Sequence, residues 1–149
     1  MMTEKEFRSI RAEGNIKHSI RYWDKAGTED GGCNTAGVLM HVTKEKHPRF
    51  IISDVVKGQW GYSKREARIK RKSEDDLDLC EQYGERYTVW VEQEPGSSGK
   101  ESAERTIKNL KGITCKADKV TGDKVVRAQP YEAQIDIKNV FLVKTESDW

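Results

Sequence analysis

With 149 residues, of which 35% are hydrophobic and 35% charged, the chain has the length of one domain with a lean core and a heavily charged surface. The net charge is only +2, so composition alone does not indicate a nucleic-acid-binding protein, and any basic binding surface must be local. No apolar run reaches the length of a membrane span, and Cys33, Cys80 and Cys115 lack the spacing of a zinc site or a disulfide framework. We therefore expect a cytoplasmic protein with reduced thiols and no membrane contact.

The first third of the chain predicts an antiparallel meander. Residues 1–15 are charged and have a composition typical of a short helix, a linker or a disordered start. Three segments after them have the apolar or alternating pattern of strands, and they run from Ile16 to Asp24, from about Ala36 to Thr43, and from Phe50 to Val56. Residues 26–32 are rich in glycine and acidic residues, and they are predicted to form the turn between the first two strands. Short connections between successive strands indicate antiparallel pairing.

A long charged segment from Ser63 to about Tyr83 predicts a helix with an apolar stripe at Ile69, Leu77 and Cys80. Its other face begins with six basic residues, which are Lys64, Arg65, Arg68, Lys70, Arg71 and Lys72. Acidic residues follow them. Two interpretations stay open. The basic block binds DNA phosphates, or it is a solvated face whose charges compensate one another. Charge runs of this kind favour the second interpretation.

The stretch from Thr88 to Lys100 combines a strand, an acidic residue and a glycine-rich turn. An apolar run leads to Glu92 and Glu94, and Pro-Gly-Ser-Ser-Gly follows. Carboxylates at the end of a strand, facing a glycine turn and a helix start, are typical of a metal or phosphate site, although a solvated loop has the same composition. The helix after the turn is predicted to begin near Ser98, because Glu101 has the spacing of a capping box.

The rest of the chain predicts a crossover and a final strand. The second helix is expected to end at Gly112, and a strand at 113–116 follows, so the strands on either side of this helix should be parallel. A polar loop at 121–124 precedes a helix from Pro130 to about Lys138, with Asn139 as its left-handed terminator. The last predicted strand covers residues 140–143.

This order of elements predicts an α/β protein of the ribonuclease H-like class, with three antiparallel strands, then parallel strands, in a mixed central sheet flanked by helices. In that topology the strand that ends near Glu92 lies beside the strand that ends at Asp24, with the backbones about 5 Å apart. Two carboxylates so close repel each other unless a cation lies between them. Oxygen ligands favour Mg²⁺ or Mn²⁺, and a pair of such ions is suited to phosphodiester cleavage.

Four blocks of sequence carry a family resemblance. They are Tyr-Trp-Asp-Lys-Ala-Gly-Thr from Tyr22, Asp-Val-Val-Lys-Gly-Gln-Trp from Asp54, Val-Glu-Gln-Glu-Pro-Gly-Ser-Ser-Gly-Lys from Val91, and Thr-Gly-Asp-Lys with Arg-Ala-Gln-Pro from Thr121. Together they resemble, in the same order, the carboxyl-terminal nuclease domain of the large terminase subunit of tailed phages. The resemblance covers residues 16–149 and leaves 1–15 as an amino-terminal linker or tail.

The resemblance implies a divalent-metal-dependent endonuclease that cuts concatemeric viral DNA during packaging in the host cytoplasm. It implies double-stranded DNA as substrate, and the terminase ATPase domain, the small terminase subunit and the portal as partners. Asp24 matches the family's first metal-binding aspartate and Glu92 its second acid, both catalytic and both ligands of Mg²⁺ or Mn²⁺ in a two-metal site. Glu94 is the alternative to Glu92, since strand alternation puts both on one face.

Two departures from the family pattern bear on activity. The family's third acid lies in a helix after the last strand, and the sequence ends at Trp149 without matching that helix. The family's ATPase motor is also missing, and Gly96 to Glu101 fails as a P-loop because two residues rather than four separate its glycines. We therefore expect an excised or separately encoded domain without the carboxyl-terminal helix, with weak metal affinity and activity.

Three basic residues are candidates for contacts with the DNA backbone, and they are Lys100, Lys124 and Arg127. Alternatively, Lys100 is a solvated first-turn residue and Arg127 a salt-bridge partner. Two other functions also stay open. One is a non-catalytic module of the same fold that grips DNA or docks onto the motor, and the other is a different ribonuclease H-like nuclease, such as a junction resolvase.

Overall fold

The computed structural model describes residues 1–25, 34–120 and 138–144. Its elements in chain order are β1 (Met2–Thr3), α1 (Glu4–Ala12), β2 (Ile16–Asp24), β3 (Thr35–Thr43), β4 (Phe50–Gly58), α2 (Tyr62–Gln82), β5 (Arg86–Gln93), α3 (Ser97–Asn109), β6 (Cys115–Lys119) and β7 (Val140–Lys144). The turn predicted at 26–32, the loop at 121–124 and the helix predicted from 130 lie outside the described residues, apart from Lys138. The left-handed backbone predicted at Asn139 occurs one residue earlier, at Lys138, where φ is 56°.

The seven strands found in the described residues form one sheet in the order β1-β7-β4-β3-β2-β5-β6. The pairs β2–β3 and β3–β4 are antiparallel, whereas β5 is parallel to β2, β6 to β5 and β7 to β4. The predicted meander, the parallel crossover and the mixed ribonuclease H-like sheet are thus confirmed. As a consequence β2, β4, β5 and β6 all end at the same side of the sheet, which we call the carboxyl edge.

Alternation along the strands separates the two faces of the sheet. Trp23, Val89 and Val91 are fully buried and form a core with Ile69 and Cys80 of α2. Strand β3 contributes a glycine, Gly37, opposite Trp23, because a Cβ atom there would collide with the indole ring. The side chains that follow Trp23 and Val91 along their strands therefore lie on the face opposite this core.

Helix α2 confirms the predicted segment but buries more polar residues than its apolar stripe suggests. Ile69 and Cys80 are buried as expected, yet Arg65, Glu66 and Asp76 are buried as well. The prediction that Arg65 belongs to a solvated basic face is therefore wrong. The helix has 21 residues, but neither it nor any other helix in the described part of the chain is apolar enough over sufficient length to span a membrane.

The capping box predicted at the start of α3 is also wrong. The helix begins after Gly96, which has a φ of 100°, and no side chain caps it. Glycine is required again at Gly99, because a Cβ atom there would collide with the backbone carbonyl of Glu94. A tight turn thus fixes the start of α3, and the far end follows the prediction, with Gly112 at a φ of 91°.

The first residues of the chain form a strand and a helix that pack against the sheet. Strand β1 pairs in parallel with β7, with Met2 opposite Val143. Helix α1 is held at its start by a capping box between Thr3 and Glu6. Phe7 of this helix shares a buried cluster with Met2 and Val143, so residues 2–12 contribute to the core of the domain where a linker or tail was one expectation.

Candidate functional site

Asp24 and Glu92 lie next to each other in the strand order, at the carboxyl edge. The paired register of the parallel strands β2 and β5 runs as far as Trp23 opposite Val91, and Asp24 and Glu92 are the next residues of the two strands. Neighbouring strands are about 4.8 Å apart, which places the two residues side by side. Asp24 is exposed and Glu92 is half-buried.

A third carboxylate, Asp118, lies beside Glu92 and has no counterpart in the sequence predictions. Its register partner on β5 is Glu92, and its Oδ2 atom accepts a hydrogen bond of 2.7 Å from the Tyr22 hydroxyl. The sequence prediction ended this strand at Lys116, whereas β6 continues to Lys119. Alternation beyond Lys116 would have placed Asp118 on the same face as Glu92. We call Asp24, Glu92 and Asp118 the edge carboxylates.

Glu94, the alternative to Glu92, is exposed and lies beyond the end of β5 at Gln93. Its backbone is enclosed by the turn, since Gly99 approaches the Glu94 carbonyl closely enough to exclude a Cβ atom. Glu92 therefore lies within a paired strand with Asp118 as its register partner, whereas Glu94 belongs to the turn that starts α3.

Lys25 anchors the end of β2 to α3. Its ammonium group donates hydrogen bonds to the Ser102 carbonyl at 2.8 Å, the Ser102 hydroxyl at 2.7 Å and the Thr106 hydroxyl at 2.8 Å. Thr106 in turn donates to Glu66 of α2 at 2.5 Å. Burial lowers the pKa of Lys25 to about 8, an effect that nearby Glu66 opposes. The residue that follows Asp24 is thus tied to both helices behind the sheet.

The chemistry of the edge carboxylates suits a hard divalent cation, because all three side chains offer oxygen ligands. Mg²⁺ commonly binds through one or two carboxylates and retains several waters. In the described ranges, however, no three His, Cys, Asp or Glu side chains are grouped closely enough to hold an ion together. As neighbours in the strand order, Asp24 and Glu92 offer the two carboxylates that such an ion commonly uses.

The residues predicted to contact DNA are only partly described. Lys100 is exposed in the first turn of α3, at the carboxyl edge. Lys124 and Arg127 lie outside the described residues. Of the basic block on α2, Arg65 is buried, Arg71 pairs with Asp75 at 3.5 Å and Lys72 with Asp54 at 3.3 Å.

The fold resembles solved structures of the human cytomegalovirus terminase nuclease domain. The Mn-soaked domain aligns with a TM-score of 0.60 and 10% identity over 93% of this chain and 68% of its own. An Mn-soaked, inhibitor-bound structure gives 0.58 and 13% over 89% and 66%, and a third structure gives 0.57 and 11% over 91% and 70%. No protein-family model and no curated protein matches the sequence.

The similarity is therefore one of fold. The chain has the ribonuclease H-like fold of terminase nuclease domains and spans about two thirds of the length of those it matches. The resemblance to terminase nucleases expected from the sequence blocks is confirmed at this level, while an origin in a phage stays a prediction.

Proposed function

We propose that this domain is a divalent-metal-dependent DNA endonuclease of a viral DNA-packaging terminase, and that it cuts concatemeric DNA. The observation that supports this most strongly is the position of Asp24 and Glu92, side by side at the ends of two parallel strands. Like charges at this spacing favour a bound cation. The fold shared with terminase nuclease domains, two of them soaked with Mn, supports the same function.

In the proposed site Asp24 and Glu92 hold Mg²⁺ or Mn²⁺ as the catalytic acids. A bound ion of this kind activates water for attack on phosphorus and neutralises charge on the leaving oxygen, and a second ion would share this work. Lys25 keeps the end of β2 in place through its bonds to Ser102 and Thr106. Tyr22 orients Asp118 beside Glu92. Contacts with α3 thus hold the end of β2 in position, and the bond from Tyr22 holds Asp118 on β6.

The same proposal assigns the partners. Double-stranded DNA is the substrate, and Lys100, Lys124 and Arg127 contact its phosphates, which would give affinity without sequence preference. The terminase ATPase domain, the small terminase subunit and the portal complete the packaging machinery in the host cytoplasm. In that setting the DNA is delivered by the motor, so the isolated domain has modest activity.

Plasmid cleavage tests the proposal. We expect nicking and linearisation in Mn²⁺ or Mg²⁺ and none in EDTA. Asp24→Asn or Glu92→Gln should lower the rate about a thousandfold, because an ion's charge stabilisation amounts to several kcal/mol. Glu94→Gln is the matched control and should retain the wild-type rate. Equal cleavage by all three variants would reject the site, and loss only in Glu94→Gln would move it to the turn.

One observation favours a second candidate, the non-catalytic docking module. In the described ranges no three potential ligand side chains come together. The module would bind duplex DNA with strong salt dependence and leave it uncut in every divalent ion. Salt-dependent binding without cleavage would therefore select this alternative.

A further inference from the structure

The start of α2 lies at the same side of the sheet as Asp24. Strand β4 ends at Gly58, and α2 begins four residues later at Tyr62. Strands β2 and β4 are both antiparallel to β3, so they run in the same direction and both end at the carboxyl edge. Two strand spacings separate them, which is about 10 Å. The first turns of α2 therefore lie at the same edge of the sheet as Asp24, on the face opposite the Asp24 side chain.

Two aromatic rings organise positive charge at this position. The Trp60 ring packs so closely over Gly58 that a Cβ atom at Gly58 would collide with it. The Arg68 guanidinium lies 5.6 Å from the Trp60 ring centre. Tyr62 is 48% exposed, and its ring lies 5.5 Å from the Arg65 guanidinium and 5.7 Å from that of Arg105 on α3. Stacking on a ring restricts an arginine while leaving its N–H donors available.

The exposed cations here differ from those further along α2. Among the described residues, Lys64, Arg68 and Arg105 have no carboxylate within ion-pair distance, whereas Arg71 and Lys72 each have one. Within the predicted basic block, Lys64 and Arg68 therefore keep available charge, whereas the charges of Arg71 and Lys72 are compensated. We call Trp60, Tyr62, Lys64, Arg68 and Arg105 the cationic surface.

The helix terminus strengthens this charge. The first turn of α2 contains no acidic residue, and Gly61 provides no side-chain cap. Helix N-termini carry a partial positive charge, so cations are ordinarily unfavourable there and anions favourable. Lys64 adds to the positive end of the helix. An anion bound at the cationic surface would offset this repulsion.

We propose that the cationic surface binds the phosphate backbone of duplex DNA at the carboxyl edge of the sheet. This inference rests on the proposed function and adds the side from which the duplex approaches. The edge carboxylates repel phosphate, so a positive surface at the same edge of the sheet would offset this repulsion and hold the duplex there. Arginine forks match phosphate geometry, and regularly spaced phosphates suit a surface that carries several separate cations.

The test compares two variants that each lose three positive charges. The surface variant carries Lys64→Gln, Arg68→Gln and Arg105→Gln. The control carries Lys17→Gln, Lys44→Gln and Lys111→Gln, which are exposed positions at the opposite side of the sheet. Fluorescence anisotropy with a labelled duplex of about 20 base pairs, in EDTA and over a salt series, gives affinity without cleavage.

We expect the surface variant to bind the duplex about tenfold or more weakly than the control at moderate salt. Its slope of log affinity against log salt should be smaller by about 1 for each phosphate that the variant no longer neutralises. Tyr62→Phe, which keeps the ring, should bind as wild type, and Tyr62→Leu should bind more weakly. Thermal unfolding checks that each variant is folded.

Equal affinity and slope for the surface and control variants would overturn the inference and leave an acidic protein surface as the better partner for these residues. Absence of duplex binding by the wild type would overturn it as well. Absence of metal-dependent cleavage by the wild type would reject the proposed function and would not bear on the DNA-binding surface. A surface variant that binds poorly while the wild type never cleaves would retain the DNA surface and reject the nuclease.

Discussion

Carboxylates on the helix-covered face of the sheet and carboxylates at its carboxyl edge have different surroundings. Asp76 accepts two hydrogen bonds from Arg21, at 2.7 and 2.8 Å, and a third from the Tyr87 hydroxyl at 2.7 Å. Glu85 is held in the same manner by Arg11, at 2.6 and 2.7 Å. We call Asp76 and Glu85 the buried carboxylates. Each faces a cation supplied by the chain, and burial of such a pair is tolerated only with complete hydrogen bonding.

The edge carboxylates lie beside one another at the ends of neighbouring strands. Glu92 has Asp118 as its register partner, and Asp24 has no ion-pair partner among the described residues. The difference shows how one residue type serves two purposes. Where the chain supplies the positive charge, a carboxylate stabilises the fold, whereas under the proposed function Asp24 and Glu92 serve to bind a divalent ion.

Removal of a buried carboxylate should have the largest effect on stability. Asp76→Ala leaves the fully buried Arg21 without its bidentate partner, so we expect a loss of about 3–5 kcal/mol in the free energy of unfolding. The matched control is Asp75→Ala, whose exposed pair with Arg71 should contribute less than about 1 kcal/mol. Urea denaturation measures both. A similar small loss in the two variants would contradict the stabilising role assigned to the buried carboxylates.

The buried region should also make stability depend on pH through His41. Burial lowers the pKa of His41 from 6.5 to about 3, and the positive charges of Arg11 and Arg21 act in the same direction. The folded pKa is below the unfolded value, so the unfolded chain takes up the proton first as pH falls below 6.5, and stability declines towards pH 3.

His41→Gln removes this contribution and should flatten the profile. The ring nitrogens of His41 bond to the hydroxyls of Ser19 and Ser53, both at 2.6 Å, and a glutamine amide retains polar atoms there. Relative to its own stability at pH 7, the variant should lose about 2 kcal/mol less than wild type at pH 4.5. Parallel profiles from urea denaturation would contradict the neutral, buried state of His41.

Removal of one tyrosine hydroxyl beside the edge carboxylates and one beside the buried carboxylates tests the two regions separately. Tyr22→Phe removes the donor to Asp118, and Tyr87→Phe removes the donor to Asp76. We expect Tyr22→Phe to raise the Mn²⁺ concentration for half-maximal cleavage about tenfold, as loss of an orienting bond next to a metal site commonly does. Tyr87→Phe should lower stability by about 1 kcal/mol and leave the Mn²⁺ dependence unchanged. An altered Mn²⁺ dependence in Tyr87→Phe, with an unchanged Mn²⁺ dependence in Tyr22→Phe, would contradict the role of Asp118.

The smallest stability effect is expected at Asp24. In EDTA, Asp24→Asn should change the free energy of unfolding by less than about 0.5 kcal/mol, because the side chain is exposed and has no described ion-pair partner. Saturating Mn²⁺ should stabilise the wild type by about 1–3 kcal/mol and the variant by much less. Equal stabilisation of both by Mn²⁺ would show that the ion binds elsewhere.

Much of the fold was predictable because its signals are local. Alternation defined β2 to within a residue, and the glycines around α3 marked its limits. The buried Arg65 and Asp76 of α2 were not predictable from periodicity, since their burial depends on partners from other elements. Tyr87 and Arg21, for example, join Asp76 from β5 and β2.

The site was predictable only where strand topology determines it. The adjacency of Asp24 and Glu92 follows from the order of parallel strands, and the structure has that order. Asp118 was missed because β6 continues past Lys116 through polar residues, which its pairing with β5 stabilises. Lys25 was missed for a similar reason, as its acceptors are on α3. Long-range contacts of this kind leave no periodic pattern in a sequence.

The proposed function requires that Asp24 and Glu92 bind a divalent ion. Crystals soaked in Mn²⁺, with anomalous diffraction recorded at the manganese edge, test it most directly. The expected result is an anomalous peak bonded to carboxylate oxygens of both Asp24 and Glu92, and its loss in Asp24→Asn crystals treated identically. A peak at Glu94, or no peak at the carboxyl edge in well-soaked crystals, would contradict the claim.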